Sequence, residues 1–260
     1  MCGRVDIHTP PEQLARVLEA QLAAGVDPEG RPSWNVGPTR AIPALVEDED
    51  GGRVLDLFRW GLVPHFMKDP KSGFKMINAR AETVATKPAY RQALQRRRCL
   101  VVADGFFEWA VPDPTLPKQK VPFYFRRADG APITFAGLYE TWWDKSRSAE
   151  PDPETFLQTC VIITTENGPD LADVHDRMPV IIEAVDRDRW LDPSLQDRDA
   201  VTAMLKPSPA GTLVRHPVDR AVNTPRNDGP EIILPVEPDV ERAPTATSPE
   251  AADGSGTAGG

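Results

Sequence analysis

Residues 133–143 read ITFAGLYETWW, and together with residues 155–165, TFLQTCVIITT, they decide the fold. Both are dense in β-branched and aromatic side chains, which suit a pleated surface packed against neighbours. Working outward, residues 99–103 (CLVVA) and 121–127 (VPFYFRR) have the same character, and turn signals such as Ala128-Asp129-Gly130 separate the runs. All four are expected to be strands. Residues 41–47 (AIPALVE) and 53–60 (RVLDLFRW) read as a further strand pair around acids and Gly51-Gly52, and another strand is expected near 212–217. Thr9 and Glu12 form a T-x-x-E capping box with Pro10 at the first helical position. Leu14, Val17, Leu18 and Leu22 then fall on one helical face that Gly25 ends. Helices are also expected over 88–97, 186–191 and 197–205. Strands cluster rather than alternate with helices, so the expected class is α+β: one domain with a mixed, largely antiparallel, barrel-like β core flanked by helices.

The 260 residues divide into a body, 1–235, and a segment, 236–260, rich in Pro, Ala, Gly, Ser and Thr that is expected to be a disordered tail. Of the net charge of −9, that segment supplies five acids and one base, so the body is only mildly acidic. Where charge lies matters more than its sum for binding an anionic polymer. The hydrophobic fraction is 40% and the charged fraction 27%, as in soluble globular proteins, and no apolar run approaches the roughly 20 residues that cross a bilayer. No membrane association is expected. The N-terminus lacks the basic start and apolar core of a secretory signal, so a cytoplasmic location is expected. Three cysteines without a C-x-x-C pair make neither a disulfide framework nor a structural zinc site. No Walker-type loop, dinucleotide fingerprint or H-E-x-x-H motif occurs, and no nucleotide, flavin or metal cofactor is expected.

Cys2 is the most informative single residue. A small second side chain generally permits removal of the initiator methionine, which would leave an α-amine and a thiol on one residue. Such a 1,2-aminothiol condenses with an aldehyde to an imine, and the thiol then closes a five-membered thiazolidine. An α-amine with a pKa of about 7.7–8.0 retains a useful neutral fraction at neutral pH, whereas a free lysine near 10.4 has almost none. By itself, a cysteine at position 2 is more often an accident of sequence than a catalytic residue.

Further motifs change its weight: Met1-Cys2-Gly3-Arg4, Trp60-Gly61-Leu62-Val63-Pro64, Asn78-Ala79-Arg80-Ala81-Glu82-Thr83, Arg98-Cys99-Leu100, Asp104-Gly105-Phe106-Phe107-Glu108-Trp109, Thr164-Thr165 and His175-Asp176-Arg177-Met178-Pro179. This ordered set resembles the SOS-response-associated peptidase family, also described as abasic-site-processing proteins, from Cys2 to about Glu231. The resemblance implies a mixed β core with peripheral helices and a covalent thiazolidine link between Cys2 and the ring-opened sugar of an abasic site in single-stranded DNA. It also implies a peptidase activity ascribed to N-terminal processing, and nucleoid association when bound to DNA. A monomer is expected.

Carried over by position, Cys2 is the nucleophile, and Asn78, Glu108 and His175 fall at the family's active-site polar positions. Glu108 lies between apolar Phe107 and Trp109, where partial burial would raise its pKa and suit it to exchange protons with the α-amine; alone it would also read as a solvent-facing strand residue. His175 can protonate the sugar ring oxygen or hold a phosphate. Asn78 can orient the aldehyde-derived oxygen or the amine, although in isolation it reads as a turn residue. Arg4, Arg80 and Arg177 each share a motif with a candidate catalytic residue and are expected to form a local basic patch for phosphates. Trp60 and Trp109 are candidates to stack on unpaired bases, with core packing the alternative. Arg96-Arg97-Arg98 is either a further phosphate contact or a solvated helix end. Cys99 and Cys160 read as inert core, and His8, His65 and His216 receive no role. The chain departs from the family pattern at His65-Phe66, where a tryptophan is common, at Phe107, which replaces a frequent tyrosine, and at Glu166, where a small residue is usual.

A covalent trap implies an imine stage, hence weak lyase activity by β-elimination and reversal through the same acid and base groups. Two other classes compete. One is an N-terminal-nucleophile cysteine peptidase or amidohydrolase; the other is a non-covalent reader of modified or single-stranded DNA in which Cys2 is incidental.

Overall fold

The computed structural model describes residues 2–48, 50–112, 115, 119–143 and 156–237. In chain order the elements are β1 (Val5–Ile7), α1 (Pro11–Val17), β2 (Gln21–Leu22), β3 (Ser33–Val36), β4 (Ala41–Glu47), β5 (Arg53–Trp60), β6 (Asn78–Arg80), α2 (Ala81–Val84) and α3 (Arg91–Arg96). There follow β7 (Arg98–Ala103), β8 (Gly105–Ala110), β9 (Val121–Arg127), β10 (Ile133–Trp143), β11 (Phe156–Glu166), β12 (Arg177–Pro179), α4 (Arg187–Leu191), α5 (Arg198–Thr202) and β13 (Leu213–Pro217).

The apolar runs pair with one another. β11, β10, β7, β4 and β5 lie side by side as antiparallel neighbours. A short parallel pairing, Thr159 with Arg59 and Cys160 with Trp60, joins β5 back to β11 and closes a five-stranded ring. A closed ring has no free edge along this path, and its strands bury both faces, which explains why they read as continuous apolar runs rather than as clean alternation. Alternate residues divide accordingly. Cys99, Val101, Phe135, Cys160 and Ile162 join the interior cluster with Phe58 and Trp60, whereas Leu100, Val102, Ala136, Leu138, Val161 and Ile163 face outward. The outward set is covered by Leu14 and Leu18 near α1, Val84, Leu94, Trp190 and Val201. Gly137 marks the tightest place in the ring: a Cβ there would lie 2.8 Å from Cys99 Sγ and 3.1 Å from the Val161 carbonyl.

A second, five-stranded sheet, in the order β13-β9-β8-β1-β3, lays Val5, Phe106 and Phe125 onto the interior cluster of the ring. Phe106 stacks on Phe125 with centroids 5.0 Å apart and meets Phe135 of the ring edge-on at 5.7 Å. The α+β class with a barrel-like, mixed and largely antiparallel core is therefore the architecture of this chain, and each expected strand is present.

Three local readings are corrected. Thr9 does not cap α1, because its hydroxyl and amide are drawn to Asp104 at 2.6 and 2.8 Å, and Pro10 is the capping residue. The helix ends at Val17, which is exposed, and Leu22 belongs to β2. Arg98 is neither a phosphate contact nor a solvated helix end. It is buried, and its guanidinium donates to the carbonyls of Leu94, Gln95, Trp190 and Asp192, fastening the ends of α3 and α4 to β7. Arg97 pairs with buried Glu140 at 2.7 Å. Of the expected tail, Val236 donates its N–H to the Pro217 carbonyl, and residues 238–260 lie outside the described residues.

Because one guanidinium satisfies carbonyls from two helices, Arg98→Met is expected to lower unfolding free energy by roughly 3 kcal/mol, since buried acceptors left unpaired are costly. Urea unfolding followed by circular dichroism measures this, and a change below about 1 kcal/mol would mean that water replaces those contacts.

Candidate active site

The N-terminal segment is threaded into the fold by backbone pairing. Val5 pairs with Phe106, Asp6 with Gly105, and the Phe107 amide donates to the Arg4 carbonyl at 3.0 Å. Cys2 is consequently carried into the interior cluster and is fully buried. The period of two along β8 then sets the direction of Glu108. Phe106 and Ala110 both belong to the cluster that holds Cys2, while Phe107 and Trp109 pack on the opposite face with Val218 and Val222. Glu108 lies on the Cys2 face and is only 2% exposed.

Burial dominates the electrostatics. Desolvation pushes the Cys2 thiol far above its ordinary value, and the Glu108 charge adds to the rise. Desolvation also raises the Glu108 carboxyl, against attraction from the chain's amino-terminal charge and from His175. Asn78, on β6 where it pairs with Ile162 of β11, donates its side-chain amide to the Cys2 carbonyl at 2.6 Å. His175 sits in the turn before β12, where its carbonyl accepts from the Asn167 side chain at 3.0 Å. Its Nδ1 accepts the Arg177 N–H at 2.9 Å and also lies 2.8 Å from Asp176 Oδ1. These two contacts demand opposite protonation of Nδ1. The backbone donor is fixed and Asp176 is 86% exposed to competing water, so the Arg177 N–H is the contact that orients the ring. Asn78 bonds to Cys2, Glu108 acts on the Cys2 thiol and His175 acts on Glu108, so four separate parts of the chain meet in one electrostatic chain.

A model described as SOS response associated peptidase (SRAP) matches residues 1–225. This chain belongs to the SRAP family. Among the relatives of this SRAP protein, "Abasic site processing protein YoqW" of Bacillus subtilis (strain 168) is 39% identical over 235 residues, covering 90% of this chain and 99% of that one. "Abasic site processing protein HMCES" of Gallus gallus is 34% identical over 285 residues, covering 95% and 82%. The fold is also that of a solved protein from Bacteroides thetaiotaomicron, at a TM-score of 0.78 and 22% identity over 91% of this chain and 100% of that one.

The SRAP arginines are each engaged with protein partners. Arg177 forms a two-point pair with Glu82, at 2.6 and 3.0 Å, and also donates to the Thr164 carbonyl. Exposed Arg80 acts on the same carboxylate. Arg4 is engaged elsewhere, donating to Asn35 Oδ1 at 2.6 Å and to the Val222 carbonyl at 3.0 Å. Trp60 is fully buried with its indole N–H on the Ile77 carbonyl, which makes it a core residue and not a surface for a base. Trp109 is half-buried and donates to Asn223. Sequence reasoning passed over Asn35, a buried amide that accepts from Arg4 and donates to the Asn227 carbonyl at 2.6 Å, and Glu82, the partner of Arg177. A polar residue inside the strand SWNV was the available signal for Asn35. His8, given no role, pairs with buried Asp6, which also accepts the Tyr124 hydroxyl at 2.7 Å. Asp6, His8 and Asp104 lie close enough for a cation, but these carboxylates already accept His8, Tyr124 and Thr9.

The raised Glu108 carboxyl means that the folded chain keeps a proton which the unfolded chain releases, so stability falls as pH rises above the ordinary glutamate range. Glu108→Gln is expected to raise the melting temperature at pH 8 and to converge on the parent near pH 4. A melting temperature for Glu108→Gln that stays below the parent's at pH 8 would place the charge in a stabilising contact instead.

Proposed function

We propose that this protein processes abasic sites in single-stranded DNA by forming a thiazolidine between Cys2, freed by removal of Met1, and the ring-opened sugar. The curated relatives are named for abasic site processing, and membership of the SRAP family supports the same reading. The observation that carries the chemistry is a cysteine at position 2 buried beside the desolvated Glu108 carboxyl, with Asn78 fixing its carbonyl.

In this reading the neutral α-amine of Cys2 adds to the C1′ aldehyde. Loss of water gives the imine, the thiol sulfur then adds to the C=N carbon, and the thiol proton passes to nitrogen. Glu108 is suited to deliver the proton that the departing hydroxyl needs, because desolvation keeps its carboxyl protonated to higher pH than usual. His175 can donate a proton to the sugar ring oxygen as it opens. Burial holds the thiol protonated, which favours attack by the amine first and thiol addition second, and disfavours a thiolate striking an amide carbonyl. From the imine, removal of a C2′ proton would expel the 3′-phosphate, so a slow strand-cleaving activity is part of the proposal, as is reversal of the ring.

The test is a denaturing gel of Met1-processed protein with an oligonucleotide bearing one abasic site. A shifted species that needs no borohydride is expected for the parent and absent for Cys2→Ala and Cys2→Ser. Glu108→Gln is expected to slow its formation by about a hundredfold, the scale of general acid–base assistance. An undiminished adduct in Cys2→Ala, or none with the parent, would overturn the reading.

A further inference from the structure

Between Gly61 and Arg80 the chain makes a surface excursion whose composition differs from the rest of this acidic protein. It contains Lys68, Lys71, Lys75 and Arg80, and Asp69 is its only acid. Exposed Asp69 caps its own segment, accepting the Lys71 amide at 2.8 Å at the start of a short 3-10 helix, Pro70–Lys75. Two of the most exposed aromatic side chains lie here, Phe66 at 54% and Phe74 at 55%, and the Lys75 ammonium sits 5.4 Å from the Phe74 ring centroid.

The excursion is pinned. Leu62 donates to the Met76 carbonyl at 3.1 Å, the Trp142 indole to the Met67 carbonyl at 2.7 Å, and Arg59 to the Pro70 carbonyl at 3.3 Å. Gly61 and Gly73 approach so closely that a Cβ on Gly61 would lie 2.6 Å from the Gly73 carbonyl. Exposed rings on a held backbone cost little entropy to bury against a ligand. The C-terminal end of the excursion runs directly into Asn78, whose amide holds the Cys2 carbonyl. From Lys75 to Arg80 is five residues, at most about 17 Å of extended chain, so cations flank Cys2's anchor on both sides.

We propose that Lys68, Lys71, Phe74 and Lys75 form a second, separate contact for single-stranded DNA, holding nucleotides beyond the abasic one on the side away from Arg80. This rests on the DNA reading above. Exposed rings interleaved with cations match a polyanion with stackable faces, whereas lysine is depleted in protein–protein interfaces. The contact reads backbone and ring faces, so it extends the footprint without adding sequence preference.

Fluorescence anisotropy with intact single-stranded oligonucleotides over a salt series tests this. In the triple variant Lys68→Gln, Lys71→Gln, Lys75→Gln the dependence of log affinity on log salt is expected to flatten by about 2, because each phosphate that a lysine no longer neutralises takes about 0.7 from the slope. Phe74→Ala is expected to weaken binding at least about fivefold and Phe74→Trp to restore it, as for base stacking. Unchanged slope and affinity in both variants, with the parent binding DNA, would overturn this contact while leaving the Cys2 chemistry standing. A parent that neither binds nor crosslinks single-stranded DNA would overturn both. Unaltered melting temperatures of the variants separate either result from misfolding.

Discussion

The parallel pairing of Arg59 with Thr159 and Trp60 with Cys160 is short, yet the rest of the structure depends on it. Without it the five strands would form an open sheet with one apolar face too many. With it, the inward residues become a single cluster, onto which the second sheet lays Val5, Phe106 and Phe125. The N-terminal segment has no choice of position once β1 is zipped between β3 and β8. Closure of the ring and burial of Cys2 are therefore parts of one packing solution.

That packing also sets the electrostatics of the site. Removal from water pushes both the Cys2 thiol and the Glu108 carboxyl upward, and the Glu108 charge adds to the rise of the thiol. In the proposed chemistry this favours an amine with a proton donor close by over a thiolate. Asn78 and His175 reach it from opposite ends of the region where β11 pairs with β6 and β12, so the ring supplies the scaffold as well as the dielectric.

Much of this was legible in the residues. The long strands announced themselves because both faces are buried, and Cys2, Asn78, Glu108 and His175 were singled out by the resemblance of their separate motifs to the family pattern. What escaped has physical reasons. β1, β3, β6 and β12 are three or four residues long and owe their state to partners far away in sequence. Thr9 has a capping-box pattern, but a nearby carboxylate competes better for its hydroxyl than a helix amide does. Arg98 and Trp60 carry groups that suit DNA, and nothing local reveals that four carbonyls or a closed ring will enclose them. Arg177 likewise gives no local sign that Glu82 holds it. Charge and aromaticity can be read from sequence, whereas accessibility belongs to the fold.

The most direct test of the central claim is the bonding of the abasic carbon itself. An oligonucleotide labelled with carbon-13 at C1′ of the abasic sugar, reacted with the Met1-processed protein, digested and observed by NMR, reports that carbon's hybridisation and neighbours. A saturated carbon bonded to one sulfur and one nitrogen, both from Cys2, is the expected result. An imine-type carbon attached to a lysine, or an unreacted hemiacetal, would contradict the account.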